Sequence, residues 1–141
     1  MKRDIWVRIM KDKLEVIVTS GGTISKIDDV RHIGNFSTGE TGAKIAEEFL
    51  KKGNKVHYFY GHNSQRPFRR DMVIDPDRDF GLELNKAVES YFQFRVNEPR
   101  LMEHSTPTFT EYYNVLNRIL VDNPIDVVIL GAAVGDYGAE Y

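Results

Sequence analysis

The run from Val18 to Gly39, VTSGGTISKIDDVRHIGNFSTG, constrains this chain more than any other segment. It begins as an apolar, β-branched strand, Leu14 to Thr19, is ending, and it leads into an amphipathic helix at about 41–52. A strand, a helix and then a second strand commit the chain to a parallel, right-handed βαβ unit. The connection is longer than that task requires, since a strand-to-helix loop in a compact domain needs only about 2–6 residues. Gly, Ser, Thr, Asp and Asn dominate it, with one arginine. A loop rich in backbone donors and small hydroxyls, mounted on a rigid scaffold, is suited to a ligand. The helix start that follows favours an anion, so the segment is expected to handle phosphate.

The rest of the chain continues the alternation. Leu14 to Thr19 lacks polar alternation, as a strand buried on both faces does. In the helix that follows, Ile45, Ala46, Phe49 and Leu50 form one stripe, with Lys44, Glu47, Glu48, Lys51 and Lys52 outside it and Gly53 as C-terminal cap. Lys55 to Tyr60 is a second strand. His62 to Pro76, polar and Arg-rich, is expected to be irregular; Phe80 to Phe94 has a helical pattern, and Arg100 to Ser105 suits a short strand. Phe109 to Val121 places Tyr112, Tyr113, Leu116, Ile119 and Leu120 at helical spacing, with Thr110 as N-cap. Asp126 to Leu130 is another fully buried type of strand. The expected architecture is α/β: one Rossmann-like, three-layer domain over 1–141 with a mainly parallel sheet and an irregular insertion at about 62–105.

Composition excludes several classes. A chain of 141 residues suits a single core. A net charge of −2 with no basic stripe gives no case for nucleic acid. There is no cysteine, hence no disulfide, thiolate metal site or thiol nucleophile. No apolar run approaches the roughly 20 residues that span a bilayer, and the basic start lacks a signal-peptide core. The expectation is a cytoplasmic protein without a membrane or nucleic-acid partner. His32, His57, His62 and His104 lack metal-ligand spacing and receive no role, and no metal ligand is assigned.

The strand at 126–130 ends in GAAVGDY. Ligands of open α/β sheets lie beyond the carboxyl ends of the strands, where strand order reverses, and both small-residue segments begin at such ends. Gly131, Ala132 and Ala133 let a ribose or base approach the backbone, and Asp136 can accept from sugar hydroxyls or help hold magnesium.

These residues carry a resemblance. VTSGGT, then VRHIGNFSTG, then AAVGDY after a buried strand resemble the motifs of the phosphopantothenate–cysteine ligase family. The match covers 14–61 and 109–137 well and 62–100 loosely. The resemblance implies a Rossmann-like homodimer of coenzyme A biosynthesis that activates 4′-phosphopantothenate with CTP or ATP and magnesium, then couples it to cysteine. It implies catalytic roles for Asn35 and Arg31. It implies phosphate or substrate contacts at Gly21, Gly22, Thr23, Ser37, Thr38 and Gly39, and nucleotide contacts at Gly131, Ala132, Ala133 and Asp136. The lysine-rich segment that follows AAV-x-DY in the family has no counterpart before Tyr141. The chain is therefore expected to be an N-terminal portion, either a fragment or a natural short protein, binding nucleotide weakly and not turning over alone.

Plainer readings stand beside these. Gly21 and Gly22 make a tight turn, Arg31 a surface ion pair, Asn35 and Ser37 an Asx turn and helix cap. Arg66, Arg69 and Arg70 suit a solvated loop better than a phosphate site. Two other functions stay open: a non-catalytic nucleotide-binding or dimerisation module, and an NAD(P)-dependent oxidoreductase. The latter lacks both G-x-G-x-x-G after the first strand and an acidic residue ending KVHYFYG.

Overall fold

The computed structural model describes residues 13–135. Four parallel strands form the central sheet in the order β5-β4-β1-β6: β1 (Glu15–Ser20), β4 (Lys55–Tyr60), β5 (Leu101–Ser105) and β6 (Val127–Leu130). The three strands expected from the sequence are all parallel, with Val16 opposite Val56 on one side and Val127 on the other. Alternate residues of β1 and β4 feed two cores. Val16, Val18, Val56 and Tyr58 face helix α1 (Glu40–Lys51), while Ile17 and Phe59 meet Tyr112 and Ile119 of helix α3 (Phe109–Asp122). Helices on both faces of a parallel sheet make the three-layer α/β arrangement.

Helix α1 ends as its sequence requires. Gly53 adopts φ +85°, its N–H donates to Leu50 O, and Asn54 N–H donates to Phe49 O, the paired bonds of a Schellman cap. Helix α3 starts at Phe109 as expected, but its N-cap lies two residues before Thr110. Thr108 is the N-cap, its hydroxyl accepting from Glu111 N–H while the Glu111 carboxylate accepts from Thr108 N–H. Within α3 the expected core is only partly realised. Tyr112 and Ile119 are buried, but Tyr113 and Leu120 face outward. Strand β6 is likewise covered on one face alone, with Val128 and Leu130 exposed.

The stretch set apart at 62–105 is irregular only in its first part. Residues 80–97 form helix α2 (Phe80–Asn97), and β5 pairs with β4 as a full member of the sheet, Val56 opposite Leu101. Arg66, Arg69 and Arg70 of the irregular part are held in ion pairs rather than left free in solvent. Arg66 and Arg69 both pair with Glu103 of β5, and Arg70 grips Glu47 of α1 at 2.5 and 2.8 Å. Glu47, which the apolar stripe leaves outside, is buried, and it also accepts from Phe68 N–H at 2.8 Å. The loop is thus clamped onto the sheet and α1. No helix among the described residues is long and apolar enough to cross a membrane.

Candidate functional site

From β1 the chain passes to β4 on one side, whereas β6 lies on the other. The carboxyl ends of β1 and β6 therefore flank the point where strand order reverses, the place where α/β sheets open a ligand crevice. The two small-residue segments meet there through their backbones. Ala133 N–H donates to Gly21 O at 2.7 Å, Thr23 N–H to Ala133 O at 3.0 Å, and Gly131 N–H to Thr19 O at 2.9 Å. Two threonine hydroxyls secure the junction: Thr23 Oγ1 accepts from Gly135 N–H, and Thr19 Oγ1 from Ala132 N–H.

Glycine is required at both positions of the turn. Gly21 has φ +77°, and a Cβ there would lie 1.7 Å from Ser64 Oγ. At Gly22 a Cβ would lie 2.2 Å from the backbone oxygen of Asn35, which cannot yield without moving the main chain.

Between β1 and α1 the long connection is not a simple loop. Strands β2 (Ile24–Lys26) and β3 (His32–Gly34) form an antiparallel hairpin, with Ile24 opposite Gly34. The hairpin returns the chain to the junction, where Asn35 N–H donates to Thr23 O and Asn35 Nδ2 to Ala133 O, each at 3.2 Å. Next come Ser37, Thr38 and Gly39. Thr38 Oγ1 accepts from Glu40 N–H in the first turn of α1, Thr38 O accepts from Gln65 N–H, and Gly39 O accepts from Ser20 Oγ. Tyr58 Oη donates to Gln65 O at 2.7 Å, and burial pushes this phenol up to about 12.

The result is a cleft of about 330 Å³ lined by Gly22, Ile24, His32, Gly34, Asn35, Phe36, Ser37, Thr38, His62 and Asn63. Its volume is at the lower end of ligand sites. Of the residues singled out from sequence, Gly22, Asn35, Ser37 and Thr38 line it, while Gly21, Thr23, Gly39, Gly131, Ala132 and Ala133 build its supports. Arg31 is not brought in. It stands at the hairpin turn with a side chain 72% exposed, 2.6 Å from Asp28, whose carboxyl it holds below the usual range. Asp136 lies outside the described residues. Sequence reasoning missed Thr19 and Ser20, which look like ordinary strand residues, and the pairing of His32 with His62 across the cleft mouth.

The chain matches the DNA/pantothenate metabolism flavoprotein C-terminal domain over residues 11–93. It is similar to a phosphopantothenate–cysteine ligase of Saccharomyces cerevisiae, CAB2, at 29% identity over 98% of this chain and 42% of that protein. Phosphopantothenate–cysteine ligase 1 of Arabidopsis thaliana is 32% identical over 86% of the chain and 45% of its own length. A solved structure of a Cab2 mutant in complex with phosphopantothenate-cysteine superimposes with a TM-score of 0.75 at 27% identity, over 97% of this chain and 50% of that one. The chain thus spans about half the length of the relatives it matches, or less.

Proposed function

Because the chain belongs to the DNA/pantothenate metabolism flavoprotein C-terminal domain family, we propose that it carries the acyl-activating part of a phosphopantothenate–cysteine ligase in coenzyme A biosynthesis. In this reading the carboxylate of 4′-phosphopantothenate attacks the α-phosphorus of CTP or ATP. An acyl–phosphate bond forms and pyrophosphate leaves. The amine of cysteine then attacks the acyl carbon, forming the amide and releasing the nucleoside monophosphate, while the amine proton passes to solvent.

The observation that carries this reading is the bond from Asn35 Nδ2 to Ala133 O, which joins the two motifs at the reversal of strand order. Asn35 offers a donor and an acceptor without adding charge, which suits orienting an acyl group. Ser37, Thr38 and the start of α1 supply hydroxyls and N–H groups for phosphate. Gly131 to Ala133 leave the backbone bare beside a nucleotide, and Asp136 is assigned to its sugar hydroxyls. Among the described residues no group of three or more His, Asp or Glu side chains is placed to hold a metal, and the cleft lining carries no carboxylate. Magnesium enters this reading as the companion of the triphosphate. Its phosphates and water supply most ligands, as is usual for this ion.

A homodimer is part of the same proposal. Phe80, Leu84, Val88, Tyr91, Phe92 and Val96 share one stripe of α2 and are 41–67% exposed. An apolar patch of that extent fits a partner surface, here a second copy of the chain.

The test is calorimetric titration with CTP, ATP, NAD(P)⁺ and 4′-phosphopantothenate, together with pyrophosphate release on adding cysteine. In a complete enzyme, with the half that these relatives carry in addition, Asn35→Ala should leave nucleotide affinity nearly intact and slow amide formation by ~10²-fold or more, the scale of one preorganised donor. Binding of NAD(P)⁺ in preference to CTP or ATP, or amide formation unchanged in Asn35→Ala, would overturn the reading.

A further inference from the structure

The cleft poses an electrostatic problem. A site for polyphosphate needs cations or many N–H donors, yet among the described residues no lysine, arginine or carboxylate lines this one. Arg31 is held by Asp28 at the hairpin turn, and Arg66, Arg69 and Arg70 are held by Glu103 and Glu47. The ionisable side chains in the lining are His32 and His62.

These two come from different elements. His32 opens β3, and His62 follows the end of β4. Their rings meet edge to face, centroids 5.9 Å apart and planes at 69°. The His32 ring lies along the bare face of Gly34, where a Cβ would be 3.8 Å from Nε2, so the ring borders the cleft floor. His62 is followed by an unusual backbone: Asn63 has φ +53°, a left-handed conformation costly for most side chains and tolerated by Asn.

We propose that His32 and His62 form a phosphate-binding pair at the mouth of the cleft, each ring donating an N–H to the same phosphoryl group. This rests on the cleft being the phosphate-handling site proposed above. A neutral imidazole donates one N–H and a protonated one donates two. Both side chains are exposed and free to turn, and from centroids 5.9 Å apart one N–H of each ring can converge at about 2.8 Å on a phosphate oxygen lying beside the pair. The phosphoryl group comes either from the nucleoside triphosphate or from the phosphate ester of phosphopantothenate. No side chain of fixed charge needs to move for either.

The experiment uses the full chain with inorganic pyrophosphate as the probe, followed by CTP, ATP, 4′-phosphopantothenate and unphosphorylated pantothenate, read by calorimetry. His32→Phe and His62→Phe keep the ring packing and remove the donors. His32→Gln and His62→Gln keep a donor and serve as a second series, and circular dichroism checks the fold of all four. Each Phe variant should weaken pyrophosphate by about tenfold or more, the scale of a lost charge-assisted bond. The Gln variants should lose less, and His62→Arg should tighten binding. A matching loss for CTP and ATP alone assigns the pair to the triphosphate. A loss for 4′-phosphopantothenate that pantothenate does not share assigns it to the ester. If the wild type binds these ligands and the Phe variants bind them equally well, the pair only packs the hairpin against the loop; this proposal then falls while the ligase reading stands. If pyrophosphate binding depends on the pair but no organic ligand binds, the ligase reading falls and the pair stands. Failure of the wild type to bind any phosphate overturns both.

Discussion

Replacing Glu47 with alanine should be among the most damaging single changes outside the cleft. Its carboxylate receives three bonds: Arg70 Nη1 at 2.5 Å, Arg70 Nη2 at 2.8 Å and the N–H of Phe68 at 2.8 Å. The Glu47 side chain is 6% exposed and that of Arg70 26% exposed. Breaking a buried pair by removing one partner costs about 3–5 kcal/mol. Arg70 can turn part of its guanidinium to water, which pulls the figure toward the lower end. The Phe68 N–H cannot follow, and an orphaned buried donor alone costs about 1–3 kcal/mol. A loss of about 3–4 kcal/mol results, close to half the stability of a marginal domain. Glu47→Gln retains an acceptor for Phe68 N–H and should lose about 1–2 kcal/mol. Urea unfolding of wild type, Glu47→Ala, Arg70→Met and the double mutant measures the coupling, with the double mutant less unstable than the sum of the singles. Because the loop held by Glu47 also supplies Gln65 to Thr38 O and His62 to the cleft, proteolysis should cut Glu47→Ala first between residues 62 and 79. A Glu47→Ala protein within 1 kcal/mol of wild type, with the loop still protected, would refute the clamp.

Four further outcomes are expected. Gly22→Ala must displace the backbone at Asn35; overpacking of this kind costs about 1–3 kcal/mol, and phosphate-ligand affinity should fall with it, whereas an unchanged titration would remove Gly22 from the argument. Tyr58 ionises at about 12 because it is buried. The unfolded chain gives up this proton first, near 10, so folding stability is full below pH 10 and declines from there toward 12, visible as a late, cooperative step in tyrosinate absorbance; complete ionisation before unfolding would contradict it. Burial, then the nearby charges of His57 and Arg118, lowers the His104 pKa. The unfolded chain therefore binds that proton first, stability drops as pH falls below about 6.5, and an NMR midpoint at or above that value would be the contrary result. Light scattering at micromolar concentration should report a dimer that Val88→Asp and Phe92→Asp dissociate; a monomeric wild type would exclude the α2 stripe as the contact.

The order of strands and helices was readable because each core element carries a local signal: a β-branched run at 14–19, an aromatic-rich one at 55–60, a glycine closing α1, and turn residues between them. The hairpin β2–β3 carries none. Its strands have three residues each, ISK and HIG have no usable alternation, and what holds them is cross-pairing, the Asp28 turn that accepts from Val30 and Arg31 N–H, and Ile24 N–H donating to Pro107 O far along the chain. Exposure on β6 and α3 was equally unreadable. Apolar spacing says that a face is to be covered, not what covers it, so Tyr113 and Val128 score as core by pattern and are open in the described structure.

The site divides along the same line. Gly21, Gly22, Thr23, Asn35 and Ala133 meet through main-chain groups at two strand ends, and the position of strand ends follows from topology; small residues there announce the crevice before any contact is known. The arginines and histidines obey a different logic, because their roles depend on which partner the fold presents. Arg31 sits within the VRHIGNFSTG motif yet faces Asp28 in the hairpin turn. Arg70 lies in what reads as a polar excursion yet anchors that excursion to a buried glutamate on α1. The charge of Arg31, Arg66, Arg69 and Arg70 is thus committed to ion pairs in the fold, and among the described residues the cleft is lined by two imidazoles and no arginine or lysine. For a phosphate site on this scaffold, the informative question is therefore not how many basic residues the chain contains. It is how many of them the carboxylates Asp28, Glu47 and Glu103 leave uncommitted.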